Sequence, residues 1–184
     1  MPKYDVFGIG NSVVDVLMRV DDTLLEELGL TKGIMKLIDL KKSKEIMDPV
    51  KLMEKTVVPG GSCCNTIIGI CDLGGKAIFS GIVGDDLYGT MFDEKLRLFG
   101  VVPNLVRTKG MTGSSIILIT PDSERTMNTY LGVCRLLAKE HIVEDNIVDS
   151  KFLHTTAYLF DICPDVVLHA LKIAKKNGVM ISFD

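Results

Sequence analysis

Short apolar segments rich in β-branched residues alternate along the chain with longer segments in which apolar residues recur at helical spacing. This alternation predicts a doubly wound, mostly parallel α/β sheet, because parallel strands are joined by crossover helices. Strands or extended segments are predicted at residues 4–9, 13–20, 34–38, 55–59, 77–83, 101–106, 114–120, 125–130, 152–156 and 177–184. Helices are predicted at residues 23–28, 40–53, 65–73, 88–99 and 164–176, and Pro49 is expected to break the second of them.

Four of the extended segments do not need to join the parallel sheet. Residues 114–130 form a predicted β-hairpin, because Pro121 and Asp122 stand where a turn favours them. Together with residues 13–20 and 34–38, this hairpin could form a small second sheet that covers a binding site as a lid. The alternative is an edge hairpin that contacts no ligand.

Two adjacent glycines, Gly60 and Gly61, separate a predicted strand from a predicted helix. Neither has a Cβ, so the backbone can approach a neighbouring group closely. Ser62 is expected to cap the helix, and the Asn65 amide can both donate and accept hydrogen bonds, which suits a pair of sugar hydroxyls. Ligands of doubly wound sheets bind at the carboxyl ends of strands, where we expect this junction to lie. The alternative is an ordinary turn followed by a capped helix.

A single carboxylate, Asp15, interrupts the apolar strand at residues 13–20. Burying a carboxylate without a partner costs free energy, so two interpretations of Asp15 are open. Asp15 either lies on an exposed strand face or accepts hydrogen bonds from the hydroxyls of a ligand. Asn11 stands four residues earlier, at the entrance of the same strand.

The composition is that of a globular domain, since 47% of the 184 residues are hydrophobic and 24% are charged. The net charge of −3 argues against a nucleic acid as a main partner, because no basic excess is available to neutralise phosphates. No apolar run approaches the roughly 20 residues of a membrane span, so no membrane partner is expected. The five cysteines are an odd number without a Cys-x-x-Cys pair, which predicts reduced thiols and a cytoplasmic location.

Motifs of several other function classes are incomplete. Residues 8–13 begin like a dinucleotide fingerprint but lack its third glycine, and residues 74–76 resemble only the end of a phosphate loop. The three histidines share no metal-ligand spacing, and Asp85 and Asp86 fit a helix cap better than a metal site. A dinucleotide-binding oxidoreductase domain and a non-catalytic small-molecule-binding protein stay open as alternatives.

Several longer motifs occur in the order known from one family. The sequence resembles the ribokinase-like (PfkB-type) sugar and nucleoside kinases, and its lid hairpin resembles that of the adenosine-kinase-like branch. The matching motifs are GIGNSVVD at residues 8–15, PGGSCCNTI at 59–67, LGGK at 73–76, GIVGDDLYG at 81–89, TGSS at 112–115 and TPDSERTMNTYLG at 120–132.

The resemblance implies an enzyme that transfers the γ-phosphoryl group of ATP, with Mg²⁺, to a hydroxymethyl group of an adenosine-like nucleoside or a sugar. It also implies a homodimer through the lid strands, since some branches of the family dimerise in this way. By match to the motifs, the acceptor-binding residues would be Asn11, Asp15, Met35, Leu37, Gly60, Gly61, Asn65, Ser115 and Leu131.

The resemblance places the family's second signature, a Gly-Ala-Gly-Asp motif with the general base, beyond Asp184. Residues 1–184 would then be the N-terminal part of one ribokinase-like domain, and the nucleotide-binding part would be absent from the chain. The predicted strand at residues 177–184 is apolar and is therefore predicted to be buried, which also suggests that the chain is a fragment of a longer protein. We therefore expect no catalytic residue and no metal ligand in this chain, and no phosphorylation by the chain alone.

Overall fold

The computed structural model describes residues 2–184, which fold into ten strands and seven α-helices. The strands are β1 (Tyr4–Ile9), β2 (Val13–Arg19), β3 (Met35–Leu37), β4 (Thr56–Gly60), β5 (Ala77–Gly84), β6 (Val102–Thr108), β7 (Gly113–Ile119), β8 (Arg125–Tyr130), β9 (Ser150–Thr155) and β10 (Met180–Phe183). The helices are α1 (Asp22–Glu27), α2 (Leu40–Val50), α3 (Ser62–Asp72), α4 (Leu87–Leu98), α5 (Glu144–Val148), α6 (Ala157–Ile162) and α7 (Pro164–Lys176).

The main sheet contains five parallel strands in the order β10-β9-β1-β5-β6. Successive residues of β1 pack on opposite faces, as strand geometry requires. Val6 joins the apolar cluster that contains Ile67 of α3, and Phe7 joins the cluster that contains Val167 of α7. Both faces of the sheet are therefore covered, and the predicted doubly wound α/β fold is confirmed.

A second five-stranded sheet, the lid sheet, has the strand order β3-β8-β7-β2-β4. Strands β7 and β8 form the predicted antiparallel hairpin, and β7 runs parallel to β2. The predicted small second sheet is thus present. Its outer face packs against α1 and α2, where Val16 of β2 shares an apolar cluster with Leu25 and Ile46.

The strand that precedes the two glycines lies in a different place from the one expected. We predicted the Gly60–Gly61 junction at the carboxyl end of a strand of the parallel sheet, but β4 pairs antiparallel with β2, with Val13 opposite Gly60. The physical reason is this pairing with β2, which no local pattern specifies; β4 is accordingly only partly buried, whereas the interior strand β5 of the main sheet is buried over its whole length. The helix α3 that follows returns to the main sheet, so the junction connects the two sheets.

Two local predictions were wrong. Ser62 is the first residue of α3 and makes no side-chain cap, because Gly61 occupies the N-cap position with a positive φ of 93°. The final strand was predicted to be buried, but all four residues of β10 are exposed, since β10 forms the edge of the main sheet and pairs with β9. The expected break at Pro49 is close to the observed end of α2 at Val50.

Within residues 2–184, no helix combines the length and the apolar character that crossing a membrane requires.

Candidate functional site

A cleft of about 410 Å³ lies between the lid sheet and the ends of the main-sheet strands. Its size falls within the roughly 300–1,000 Å³ that is typical of small-molecule sites. Of the nine residues predicted to bind an acceptor, Gly60 alone does not line the cleft. The other eight are Asn11, Asp15, Met35, Leu37, Gly61, Asn65, Ser115 and Leu131.

One rung of the lid sheet carries much of the cleft wall. Asp15 of β2 stands opposite Ser115 of β7, which stands opposite Thr129 of β8, which stands opposite Leu37 of β3. The Ser115 and Thr129 hydroxyl oxygens are 2.9 Å apart and hydrogen-bonded. Since side chains alternate between the faces of a strand, residues two positions away share this face. The neighbouring rung accordingly presents Ile117, Met127 and Met35 to the same cleft.

Gly60 lies directly beneath Asp15. A Cβ on Gly60 would overlap the Asp15 carboxylate, so this carboxylate fits only because residue 60 has no side chain. Asp15 makes no hydrogen bond or ion pair within residues 2–184, and burial raises its pKa to about 6. A half-buried carboxylate without a cationic partner is prepared to accept hydrogen bonds from a ligand.

Gly61 brings the start of α3 against the loop that follows β1. A Cβ at this position would lie 2.7 Å from the Asn11 carbonyl oxygen, and the φ of 93° is itself unfavourable for other residues. The Asn11 side-chain oxygen is buried and has no hydrogen-bond partner in the part of the chain that the structure describes. Asn65, one turn into α3, is exposed at the cleft. Asn11, Asp15 and Asn65 therefore form a polar end.

The wall opposite the lid sheet was missed from the sequence. Tyr158, Asp161 and Ile162 lie on one face of α6, because positions i, i+3 and i+4 of a helix are neighbours. Thr156 adjoins them just past the end of β9. The available signal was the rule that ligands bind beyond the carboxyl ends of parallel strands, which applies to β9 as it does to β1.

Other lining residues missed from the sequence lie next to predicted ones. The alternation along β7 and β8 would have identified the three on those two strands from Ser115. The full set is Val13, Ser62, Cys63, Ile117, Met127 and Thr129.

Cys63 and Cys64 are buried packing residues. The Cys63 thiol lies 3.7 Å from the His154 carbonyl oxygen, to which it donates a hydrogen bond. Burial raises the pKa of both thiols, which keeps them protonated and unreactive. This agrees with the predicted packing role.

The charged side chains that line the cleft are all acidic. Its lining residues include two carboxylates, Asp15 and Asp161, and no Lys, Arg or His. Such a cleft suits a neutral ligand that carries hydrogen-bond donors, and it disfavours an anion.

The acidic pair at the start of α4 has a structural role. Asp86 caps the helix by accepting a hydrogen bond from the Gly89 backbone N–H at 2.8 Å, as predicted. Its carboxylate also accepts hydrogen bonds from the Thr112 backbone N–H at 2.9 Å and from the Thr112 hydroxyl at 2.6 Å. Asp86 therefore ties the end of β5 to the start of the lid strand β7.

Comparison with known proteins identifies relatives of this chain. The protein-family model described as "pfkB family carbohydrate kinase" matches residues 28–184. A fructokinase from Solanum tuberosum is 30% identical over 132 residues, which cover 68% of this chain and 41% of the relative. The structure of an adenosine kinase from Sinorhizobium meliloti is 36% identical, with a TM-score of 0.89, over 98% of this chain and 56% of that one. A probable sugar kinase from Rhizobium etli CFN 42 is 33% identical, with a TM-score of 0.91, over 100% of this chain and 56% of that one.

The chain thus spans about half the length of the relatives that it matches.

Proposed function

The chain belongs to the pfkB family of carbohydrate kinases, and we propose that the protein phosphorylates the hydroxymethyl group of a neutral, adenosine-like nucleoside. In this proposal the cleft between the lid sheet and α6 binds the acceptor. Membership of the family argues against the dinucleotide-binding oxidoreductase that the sequence had left open.

The observation that supports a nucleoside is that the cleft combines polar groups suited to a sugar with exposed apolar side chains suited to a base. At the polar end, the unpartnered Asp15 carboxylate would accept hydrogen bonds from ribose hydroxyls, and the Asn11 and Asn65 amides would hold the same sugar. Met35 and Leu37 of the lid sheet and Tyr158 and Ile162 of α6 line other parts of the same cleft. A flat heterocyclic base against these side chains would bury apolar surface that is now exposed.

The absence of cations among the lining residues argues for a neutral acceptor. A sugar phosphate would bring about two negative charges into a cleft whose charged side chains are Asp15 and Asp161. No lining residue could neutralise that charge, and Asp15 would repel it. Fructose 6-phosphate is therefore expected to be a poor acceptor.

A simple hexose is the second candidate. It is favoured by the similarity to the fructokinase from Solanum tuberosum. A hexose would satisfy Asp15 and Asn65, but it would leave Met35 and Leu37 in contact with water. For this reason we favour the nucleoside.

ATP and Mg²⁺ are expected for a pfkB kinase, but the described residues do not fit their site. Residues 2–184 contain no group of three or more His, Cys, Asp or Glu side chains placed to hold a metal ion. The cleft residues include no Lys or Arg for a triphosphate. The phosphoryl-transfer step is therefore not assigned to any residue of this chain, and we propose that the 184-residue chain alone binds the acceptor without phosphorylating it.

Two further properties are also proposals. All five cysteines are free thiols, which is consistent with a reducing compartment such as the cytoplasm. A homodimer through the lid strands stays a prediction, and sedimentation equilibrium of the purified protein would test it.

Acceptor binding can be tested by calorimetric titration of the chain with adenosine, fructose and fructose 6-phosphate. We expect adenosine to bind most tightly and fructose 6-phosphate not to bind. Asp15→Ala should abolish adenosine binding, whereas the control Asp72→Ala, at an exposed position outside the cleft, should bind normally. Tighter binding of fructose than of adenosine would favour the second candidate, and equal binding by Asp15→Ala would contradict the proposed site.

A further inference from the structure

The segment from Lys32 to Ile38, here called the strap, crosses the lid sheet at its edge and includes β3. It presents Met35 and Leu37 to the cleft, yet these side chains remain 41% and 47% exposed. Ile38 at the end of the strap packs against the apolar core, but all three residues of β3 are exposed. The position of the strap before Ile38 therefore depends mainly on polar contacts.

Backbone hydrogen bonds join the strap to β8. The Met127 N–H donates to the Ile34 carbonyl, and the Ile38 N–H donates to the Thr129 carbonyl, both at 2.9 Å. These contacts set the register of the strap along its middle and its end. Near the start of the strap, the Gly33 N–H donates a hydrogen bond to the Thr126 hydroxyl at 3.1 Å. Lys32, the first residue, contacts its neighbours through its side chain.

That first residue, Lys32, joins two separate elements. Its ammonium lies 2.7 Å from the Asp22 carboxylate at the start of α1 and 2.6 Å from the Asp122 carboxylate in the turn between β7 and β8. The Lys32 side chain is 33% exposed. One cation between two anions forms a network, which holds its members more firmly than an isolated surface pair does.

The turn is rigid at the point where Lys32 contacts it. The other oxygen of Asp122 accepts hydrogen bonds from the Thr120 hydroxyl at 2.6 Å and from the Glu124 N–H at 3.3 Å. The hydrogen bonds from Lys32 and Thr120 lower the pKa of Asp122 to about 2, so the carboxylate is ionised at neutral pH. Lys32 is therefore anchored to a fixed group.

We propose that Lys32 is a positioning residue for the acceptor: it holds the strap where Met35 and Leu37 contact the acceptor base. This inference rests on the proposed nucleoside function. Lys32 contacts no acceptor itself and acts through the two apolar side chains.

The kinetic test compares Lys32→Met, Lys32→Arg and the control Lys36→Met in the protein at its full natural length. Lys36 belongs to the same strand, but its side chain points away from the cleft, since it lies between Met35 and Leu37. Lys32→Met should raise the KM for adenosine about tenfold with kcat changed less than about twofold, which is the pattern of lost binding. Lys32→Arg should restore most of the affinity, and Lys36→Met should match the wild type. An unchanged KM in Lys32→Met would overturn the inference.

A second readout does not depend on turnover. Amide hydrogen exchange of residues 32–38 should be at least about tenfold faster in Lys32→Met than in Lys36→Met, because the anchored strap opens less often. Equal exchange in the two variants would overturn the inference whatever the substrate is. Faster exchange in a protein that uses no nucleoside would instead show that the proposed function is wrong and that the anchoring is real.

Discussion

The Asp15 carboxylate occupies the space above Gly60 that any side chain at residue 60 would fill. The two residues lie on adjacent antiparallel strands, β2 and β4, so the position of the carboxylate is set by the pairing of these strands. This relationship links the backbone of the glycine junction to the one unpartnered acid at the polar end of the cleft.

Replacing Gly60 by Ala should therefore displace the Asp15 carboxylate. We expect Gly60→Ala to lower the free energy of unfolding by about 1–3 kcal/mol, as overpacking does, and to weaken adenosine binding at least about tenfold. The control is Gly69→Ala in α3, where a Cβ would have no heavy atom within 4 Å. Because Ala favours a helix over Gly, Gly69→Ala should stabilise the protein by about 0.5–1 kcal/mol. Wild-type binding by Gly60→Ala would contradict the role of this contact.

The half-buried Asp15 carboxylate should also lower the stability of the protein. Burial raises the pKa of Asp15 from 3.8 to about 6, so the folded state holds its proton more strongly than the unfolded state does. The wild-type protein therefore loses stability as the pH rises from about 4 through 6, and the loss is complete above the folded pKa. Asp15→Asn should remove this loss. Its free energy of unfolding should be about 1–2 kcal/mol higher than that of the wild type at about pH 7, allowing for partial solvent screening.

Urea denaturation of the wild type and Asp15→Asn at several pH values checks the direction of this pH dependence. The two curves should converge below about pH 4, where Asp15 is protonated in both states. A wild-type protein more stable than Asp15→Asn at neutral pH would mean that the carboxylate has a partner.

Acceptor binding should depend on pH in the opposite sense. The ionised Asp15 carboxylate is the stronger acceptor for hydroxyl groups, so affinity should increase about tenfold per pH unit below 6 and level off above it. Calorimetric titration with adenosine between about pH 5 and 8 measures this, and Asp15→Asn should bind weakly at every pH. A flat wild-type profile would contradict the proposed hydrogen bonds.

The contact between Asp86 and Thr112 should hold the lid sheet to the main sheet. Asp86→Ala removes three hydrogen bonds to the Asp86 carboxylate and should lower the free energy of unfolding by about 2–3 kcal/mol. Asp85→Ala changes an exposed neighbour, and its effect should stay within about 0.5 kcal/mol. Equal stabilities of the two variants, measured by thermal unfolding, would argue against this connection.

Much of the fold could be predicted from the sequence because its signals are local. The alternating strands and helices identified the parallel sheet, and the turn at Pro121 identified the lid hairpin. The polar residue Asp15 in an apolar strand pointed to the cleft. The residues Met35, Leu37, Ser115 and Leu131 came from the family resemblance, and all four line the cleft.

The remaining features depend on contacts between distant parts of the chain. The place of β4 in the lid sheet follows from its pairing with β2, which no local pattern specifies. The wall formed by Tyr158 and Asp161 depends on how α6 lies across the cleft from the lid sheet. The bridge from Lys32 to Asp122 joins residues 90 positions apart, since 122 − 32 = 90.

The most direct test of the proposed function is ATP-dependent ADP release by the protein at its full natural length. The acceptors are adenosine, ribose, fructose and fructose 6-phosphate, and Asp15→Ala and Asn65→Ala are measured beside the wild type. We predict turnover with adenosine and a loss of at least about 100-fold in kcat/KM in both variants. Turnover with fructose 6-phosphate in preference to the neutral acceptors, or full activity of Asp15→Ala, would contradict the proposed function.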